Sequence, residues 1–258
     1  MTGEFEGLGG IVTGAGSGIG KATALHLASL GANVLAVDIS QSAVDELAAG
    51  AASLAGTITP MQADVTDPEQ VRTYAEKADA LYERLWFFHN NAGVEGVHQS
   101  IIDTDPAEWR AVMDVNLHSF FYGLKYVLPG LVRRGGGSVV LTGSLLSHKA
   151  APNRADYTVS KHAVLGLTRS AASEVAKDKV RVNCVCPGPI ETPLMARSEQ
   201  LTNHDDPGEE RRRFEQGTPL GRYGTPEEIA RSIAFLLSPE VPYLTGASLS
   251  VDGGLQAI

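Results

Sequence analysis

The chain has 258 residues, 43% hydrophobic and 20% charged, a composition that fits one globular domain over residues 1–258 and excludes a disordered or fibrous protein. Its net charge of −9 argues against nucleic acid and anionic membrane as partners, since both bind basic surfaces. Because the acidic N-terminus lacks the apolar segment of a secretory signal and no apolar run is long enough to cross a membrane, we expect a cytoplasmic protein.

Short segments rich in β-branched residues alternate with longer helical segments along the whole chain. In chain order, strands are predicted at residues 10–13, 33–37, 57–62, 86–89, 138–142, 180–185 and 248–251. Three of the predicted helices begin with a capping residue followed by proline, at Asp67, Asp105 and Thr225, each with Gln or Glu at the capping-box position. The alternation predicts an α/β single-domain Rossmann fold, a doubly wound parallel sheet of about seven strands with helices on both faces.

The first predicted strand runs into a glycine-rich turn, GAGSGIG, which begins at Gly14 and ends at Gly20. Glycines allow unusual backbone angles there, and they let backbone N–H groups approach a pyrophosphate at the start of the following helix. The spacing differs from the general Gly-x-Gly-x-x-Gly fingerprint, so a turn without a ligand remains the alternative. The contacts predicted from this turn are Gly14, Ser17, Gly18, Ile19 and Gly20.

Asp38 ends the second predicted strand, where a carboxylate can accept hydrogen bonds from the adenosine ribose and repel a 2′-phosphate. Taken alone, Asp38 could instead cap the next helix. Beside the glycine turn it predicts NAD rather than NADP. Ligands bind at the carboxyl ends of the strands in such sheets, and the further cofactor contacts predicted there are Ile39, Asp64, Val65, Asn91, Ala92 and Gly93.

Tyr157 and Lys161 are four residues apart in a predicted helix and therefore share one face. A free tyrosine has a pKa near ~10, and a neighbouring ammonium group favours the phenolate. The pair therefore fits general acid–base catalysis near neutral pH. Without other motifs, two surface residues at this spacing would be the better interpretation.

Cys184 and Cys186 lie two apart on a predicted strand, where their side chains share a face too closely for an easy disulfide. We expect reduced, buried thiols. The seven histidines show no metal-ligand spacing, and no catalytic metal is predicted. Residues 191–222 are rich in charge, proline and glycine, and we expect them to leave the sheet as a lid over the substrate.

Five motifs follow one another in the chain: TGAGSGIG, NNAG, Ser144 with Tyr157-x-x-x-Lys161, Pro187-Gly188, and VDGG near the end. Together they resemble the short-chain dehydrogenase/reductase family, from about residue 8 to residue 254. The resemblance implies hydride transfer between nicotinamide and a secondary alcohol or ketone. It also implies that Tyr157 exchanges the alcohol proton and that Ser144 binds the substrate oxygen.

The resemblance implies roles for further positions. Lys161 would bind the nicotinamide ribose and lower the pKa of Tyr157, and Asn116 would hold a water molecule that links the lysine to solvent. Both Tyr157 and Lys161 would thus contact the cofactor, and the nicotinamide carboxamide would be seated by Pro187, Gly188, Ile190 and Thr192. Positions that flank these motifs predict the substrate contacts, which are Glu95, Ser144, Leu146, His148, Tyr157, Pro189 and Met195.

The residues that flank the chemical motifs are mostly apolar and favour a hydrophobic or cyclic alcohol or ketone; they are Val94, Glu95, Leu145, Leu146, His148, Pro189, Ile190, Leu194 and Met195. One alternative is a 3-oxoacyl-carrier-protein reductase, which Asp38 and the acidic net charge disfavour. Another is an inactive dinucleotide sensor, which the presence of Asn116, Ser144, Tyr157 and Lys161 disfavours. Apolar residues on more than one face of the helices around residues 116–131 and 155–175 predict a homotetramer, as does the resemblance.

Overall fold

The computed structural model describes residues 4–257, and its centre is a parallel sheet of seven strands. The strands are β1 (Gly9–Thr13), β2 (Asn33–Asp38), β3 (Thr57–Gln62), β4 (Leu85–Asn90), β5 (Gly137–Thr142), β6 (Val180–Pro187) and β7 (Ser248–Val251). Their order across the sheet is β3-β2-β1-β4-β5-β6-β7. All seven predicted strands are present, and the strand order is that of a doubly wound sheet, so the predicted fold is confirmed.

Nine helices are assigned among residues 4–257, and most of them connect consecutive strands. They are α1 (Gly18–Ser29), α2 (Gln41–Gly50), α3 (Pro68–Leu81), α4 (Pro106–Met113), α5 (Ser119–Arg133), α6 (Ala155–Val175), α7 (Pro193–Thr202), α8 (Pro207–Gly217) and α9 (Pro226–Leu237). A π-helical turn, Asp114–His118, joins α4 to α5. No helix in the described part of the chain is both long and apolar enough to span a membrane.

Two cores lie on opposite faces of the sheet, because neighbouring residues of a strand point to opposite sides. On β4, Phe88 belongs to the core that includes residues of α3, α5 and α6, whereas Phe87 belongs to the core that includes residues of α1, α2 and α9. Val139 and Val140 of β5 divide in the same way. Helices thus cover both faces, and only the ends of the strands remain for binding.

The three predicted helix caps are present. Thr225 and Glu228 form a full capping box, in which Thr225 Oγ1 accepts from the Glu228 amide and Glu228 Oε2 accepts from the Thr225 amide. Asp67 and Asp105 instead accept from amides two residues further on, at Glu69 and Ala107. The pattern therefore predicted the start of all three helices. The reciprocal capping-box bond that it also implies is present only at Thr225.

Residues 191–222 leave the sheet after β6, and they contain α7 and α8, two helices that the sequence did not predict. Thr192 and Asp206 cap these helices, and each precedes a proline. A capping residue followed by proline is the same pattern that predicted the other three helix starts. It was not recognised here because residues 191–222 also contain many charged and turn-forming residues.

Candidate active site

The loops that follow β1 to β6 meet at the carboxyl ends of these strands, where a cavity of about 820 Å³ opens. It lies where the strand order reverses between β1 and β4, the position at which such sheets bind ligands. From the predicted cofactor set, the cavity is lined by Gly14, Ser17, Gly18, Ile19, Asp38, Ile39, Asp64, Val65, Asn91, Ala92, Gly93, Tyr157, Lys161, Pro187, Gly188, Ile190 and Thr192.

The glycine turn brings the start of α1 to the cavity. Gly14 and Gly18 have φ angles of +63° and +51°, in the left-handed region that favours glycine. Gly20 does not line the cavity; a Cβ there would lie 2.0 Å from the Gly14 carbonyl oxygen, so its role is to let the helix approach the turn. The Ser17 side chain makes no capping bond to α1. The first amides of the helix therefore remain available to an anion.

Asp38 joins the end of β2 to this turn. Its Oδ2 accepts from the Gly16 amide at 2.8 Å, and its Oδ1 accepts from the Ser40 amide at 3.0 Å. Ser40, not Asp38, is the N-cap of α2, which removes the alternative explanation for the carboxylate. Within residues 4–257, the basic side chains that line the cavity are Lys161, Arg154 and Arg213, on or at the start of α6 and on α8.

The candidate catalytic side chains lie on and around α6. Tyr157 and Lys161 are 9% and 3% exposed, and the Lys161 ammonium lies 5.6 Å from the centre of the Tyr157 ring. Lys161 Nζ donates to the Thr142 carbonyl at 3.0 Å. The hydroxyls of Ser144 and Tyr157 form a hydrogen bond. The structure thus brings Ser144, Tyr157 and Lys161 into the wall of one cavity.

Burial controls how these groups titrate. It raises the pKa of Tyr157, with the negative charge of Glu95 adding to the effect, while the Ser144 hydrogen bond and Arg154 oppose it. It lowers the pKa of Lys161 to about 8. The sequence predicted the opposite direction for Tyr157, because it showed a neighbouring ammonium but not the loss of water around both groups. In the protein alone, desolvation raises the pKa of Tyr157 by more than the neighbouring groups lower it.

Asn116 lies in the π-helical turn and is fully buried. Its Oδ1 accepts from the Val94 amide at 2.8 Å, and its Nδ2 donates to the Val94 carbonyl at 3.0 Å and to Ser160 Oγ at 3.3 Å. A Cβ at Gly93 would lie 3.3 Å from Asn116 Oδ1 and 3.6 Å from Lys161 Nζ. The amide therefore holds the segment after β4 in place, close to the lysine.

The predicted substrate contacts Glu95, Leu146, Pro189 and Met195 line the same cavity, together with Ser144 and Tyr157. His148 is not among the lining residues; its ring lies beside the buried Cys186 thiol instead, and its Nε2 has no hydrogen-bond partner. The sequence pattern could not distinguish these two directions for a side chain after the short turn Leu145–Ser147.

The two cysteines are free and buried behind the candidate site, with their sulfur atoms 3.8 Å apart. Gly143, which precedes Ser144, packs against both; a Cβ there would lie 2.8 Å from Cys184 Sγ and 3.1 Å from Cys186 Sγ. Among residues 4–257, no group of three or more His, Cys, Asp or Glu side chains could hold a metal ion.

Sequence reasoning missed several polar residues of the cavity wall, namely His98, Thr142, Arg154, Thr202, Glu210 and Arg213. Arg154 lies three residues before Tyr157, so helical spacing could have placed it near the same cavity. The others lie in segments that were predicted to reach the site, but the sequence pattern did not show which of their side chains line the cavity. The wall is therefore more polar than the sequence predicted.

Comparison with known proteins bears on this geometry. The family model described as enoyl-(acyl carrier protein) reductase matches residues 14–256. Cyclohexanol dehydrogenase from Acinetobacter sp. (strain SE19) is 37% identical over 98% of this chain and 96% of its own length. The 3-oxoacyl-[acyl-carrier-protein] reductase FabG of Thermotoga maritima (strain ATCC 43589 / DSM 3109 / JCM 10099 / NBRC 100826 / MSB8) is 39% identical over 98% of this chain and 99% of its own. The chain belongs to the short-chain dehydrogenase/reductase family. It is an oxidoreductase that acts on CH–OH groups.

Solved structures of the family agree with the fold. The crystal structure of levodione reductase superimposes with a TM-score of 0.95 at 35% identity, covering 98% of this chain and 99% of that one. A structure described as an NAD(P)-dependent gluconate 5-dehydrogenase from Beutenbergia cavernae contains bound NADP at low occupancy; its TM-score is 0.87 at 35% identity, and the match covers 98% of each chain.

The family uses a nicotinamide dinucleotide, and the residues present fit one. The uncapped start of α1 suits a pyrophosphate, Asp38 presents a carboxylate to the cavity, and the left-handed Gly14 and Gly18 keep the turn free of side chains. Lys161 and the segment that begins at Pro187 line the same cavity beside Tyr157.

Proposed function

We propose that the protein oxidises a hydrophobic, cyclic secondary alcohol with NAD, and reduces the corresponding ketone with NADH. The observation that carries this proposal is that one cavity is lined both by Asp38 and by Ser144, Tyr157 and Lys161. A dinucleotide held at Asp38 would therefore share that cavity with the candidate acid/base.

NAD rather than NADP is supported by the environment of Asp38. Its carboxylate would accept hydrogen bonds from the ribose hydroxyls and would repel a 2′-phosphate. The neighbouring cavity residue, Ile39, carries no charge that could offset this repulsion, and its side chain is exposed. The relative that contains NADP shows that the family also uses the phosphorylated cofactor, so the preference depends on these residues.

Bound nicotinamide would accept or supply the hydride. The chain's own residues would handle the proton and the oxygen. Ser144 would hold the substrate oxygen beside Tyr157, and the Tyr157 hydroxyl would take the alcohol proton in oxidation or return it in reduction. Lys161 would orient the cofactor ribose, and its buried ammonium would favour the phenolate as the proton leaves the substrate. Asn116 would keep the segment after β4 against the lysine.

A hydrophobic ring is supported by the apolar part of the cavity wall. Leu146, Pro189, Leu194 and Met195 line it near Ser144 and Tyr157 in sequence or on neighbouring loops. Two similar proteins are named cyclohexanol dehydrogenase and cis-4-hydroxycyclohexanecarboxylate dehydrogenase, at 37% and 35% identity. Contact with these apolar side chains would orient the ring, and the hydroxyls of Ser144 and Tyr157 would bind the oxygen atom that the ring carries.

The test is a panel of substrates followed by NADH absorbance: cyclohexanol, an open-chain secondary alcohol of equal carbon number, and a 3-hydroxyacyl thioester, each with NAD and with NADP. Cyclohexanol with NAD is expected to give the highest kcat/KM. Preference for the thioester with NADP would instead support the reductase of acyl-carrier-protein substrates, which the family model and the FabG relative keep as the second candidate.

A further inference from the structure

A buried ion pair lies in the cavity wall beside the candidate acid/base. Glu95 Oε1 lies 3.0 Å from Arg154 Nη1, and the two side chains are 2% and 14% exposed. Glu95 belongs to the segment after β4, whereas Arg154 is the N-cap residue of α6, one helical turn before Tyr157. The pair therefore connects the end of β4 to the helix that carries Tyr157.

Contacts with α7 fix both partners of the pair. His98 Nε2 donates to Glu95 Oε1 at 3.0 Å, and His98 Nδ1 lies 3.0 Å from Thr202 Oγ1. Arg154 Nη2 donates to the Ser198 hydroxyl. While α7 is in place, as it is in this structure, the two charges are held by neighbouring elements, and little water reaches them to screen their effect on Tyr157.

The two charges act on Tyr157 in opposite directions. The Glu95 carboxylate raises the pKa of Tyr157, because a phenolate would be repelled by it, and the Arg154 guanidinium lowers that pKa. Removing one partner of a buried pair leaves the other uncompensated. Either single loss should therefore be detectable at Tyr157.

Other charged or titratable groups face the cavity or Tyr157 from the elements packed around it. From the ends of β2 and β3 come Asp38 and Asp64, from the segment after β4 comes His98, from α6 come Asp156 and Lys161, and from α8 come Glu210 and Arg213. The thiols of Cys184 and Cys186 on β6 act on Lys161. These residues are present in all the variants, so midpoint shifts of opposite sign in the Glu95 and Arg154 variants are assigned to the pair.

We propose that Glu95 and Arg154 are a positioning pair that sets the pH range in which Tyr157 exchanges its proton, with Arg154 offsetting the carboxylate that Glu95 places in the cavity wall. This inference rests on the proposed function, since it takes Tyr157 as the acid/base. Neither member of the pair exchanges a proton with the substrate. Glu95, which the sequence predicted as a substrate contact, is committed to Arg154 and His98.

The test replaces each partner alone and measures the pH dependence of NAD-dependent alcohol oxidation. Glu95→Gln removes the negative charge, so the midpoint should move to lower pH by about one unit. Arg154→Gln leaves Glu95 uncompensated, so the midpoint should move to higher pH by a similar amount. The double variant E95Q/R154Q removes both charges and should return the midpoint close to that of the wild type.

A second readout does not depend on turnover. NMR of the NAD-bound protein with isotope-labelled tyrosine ζ-carbons follows the ionisation of Tyr157 directly, and the Tyr157→Phe variant assigns its resonance. The ionisation should occur at lower pH in Glu95→Gln and at higher pH in Arg154→Gln than in the wild type. The charge-conserving variants Glu95→Asp and Arg154→Lys should stay close to the wild type. Arg72→Gln, which breaks an exposed ion pair on α3, is the matched control and should leave the midpoint unchanged.

The inference is overturned if Glu95→Gln and Arg154→Gln lower the rate without moving the midpoint of the pH profile, or if both move it in the same direction. The pair would then have a purely structural role. Glu95→Met and Arg154→Met remove the same charges with apolar side chains and take the place of a Gln variant that does not fold. If Tyr157→Phe keeps full activity, the proposed function fails instead, so the two failures are distinguishable.

Discussion

Tyr157, Lys161 and Ser144 line one cavity, although the segment between β5 and α6 separates Ser144 from the other two in sequence. The i, i+4 spacing on α6 was enough to predict that the tyrosine and the lysine share a face. It could not predict how they titrate, because that depends on burial by residues from β5, β6 and the segment after β4. The sequence thus identifies the tyrosine and the lysine as the chemical groups of the site. Whether their pKa values are raised or lowered follows only from the packed structure.

Tyr157→Phe tests the candidate acid/base directly. The ring and its packing remain, but the group that exchanges the proton is lost, so kcat should fall by at least ~10²–10⁴. NAD binding, measured by calorimetry, should persist, because Asp38 and the glycine turn are untouched. The proton assignment is falsified if the variant keeps more than about a tenth of wild-type kcat at saturating NAD.

Asp38 is the residue expected to choose the cofactor. The wild type should prefer NAD at least about tenfold in kcat/KM, equivalent to about 1.4 kcal/mol. Asp38→Ala should reduce this preference by weakening NAD, and the exposed Ile39 offers a site where Ile39→Arg should begin to admit the 2′-phosphate. Steady-state kinetics with both cofactors measure the effect. Equal efficiency of the wild type with NAD and NADP would contradict the assignment.

His89 gives a prediction for stability in acid. It is fully buried on β4, and burial lowers its pKa to about 3, below the ordinary value of 6.5. Between a pH of about 3 and 6.5, His89 is therefore protonated in the unfolded chain and neutral in the folded chain. Because the unfolded chain binds the extra proton, the stability of the fold decreases as the pH falls below 6.5. The loss should reach about 2 kcal/mol by a pH of about 5.

His89→Gln should flatten that dependence, although it also disturbs the bond between His89 Nε2 and Thr142 Oγ1 and so lowers stability at neutral pH. Urea unfolding at several pH values measures both effects. His118→Gln, at an exposed position, is the control and should leave the slope unchanged. An unchanged slope in His89→Gln would contradict the prediction.

At the scale of secondary-structure elements, strands were predicted more completely than helices. β-branched runs bounded by turns mark β1, β2 and β5 clearly, since both faces of these strands are buried. α8 escaped prediction because most of its exposed residues are charged, and α7 because its ten residues mix small, polar and apolar types without a clear helical periodicity. Their stability comes instead from caps and from contacts with other elements, which a local pattern does not display.

These two helices are the proposed lid. α7 is held to the segment after β4 and to α6 by His98 and Arg154, and α8 is held to Glu191 by Arg211 at 2.5 Å. Such polar contacts are weaker than a buried core, so residues 191–213 should open first. Limited trypsin digestion should cut at Arg197 or at residues 211–213 before any other site, and NAD with substrate should slow that cleavage. Equal cleavage with and without ligands would contradict a lid.

At the scale of the whole molecule, the apolar surface of α5 and α6 bears on assembly. Phe121 and Val159 are 48% and 46% exposed, although both lie on long helices that already bury one face against the sheet. We propose that this surface is covered in a homotetramer, as predicted from the sequence. Light scattering should give four times the chain mass of 27.2 kDa at micromolar concentration. A monomer mass would contradict this, and Phe121→Glu should weaken the assembly.

The whole fold followed from the sequence because its alternation of elements admits few topologies once parallel strands and right-handed crossovers are assumed. The position of the cavity followed as well, since loops after β1, β4 and β6 must meet where the strand order reverses. The polar part of the cavity wall did not follow from the sequence. Arg154 and His98 reach the cavity through turns and helix ends, whose side-chain directions no periodic pattern fixes.

Gly143 and the two thiols behind it occupy one shared volume, and this constrains how the protein can change over evolutionary time. A variant that gains a side chain at position 143 while both cysteines are still present would be overpacked, and selection would remove it. Loss of Cys184 to alanine first would relieve only one of these contacts, because a Cβ at position 143 would still lie 2.8 Å from Ser147 Oγ and 3.1 Å from Cys186 Sγ. The substitutions are therefore epistatic: position 143 can accept a side chain only after more than one of its neighbours has changed.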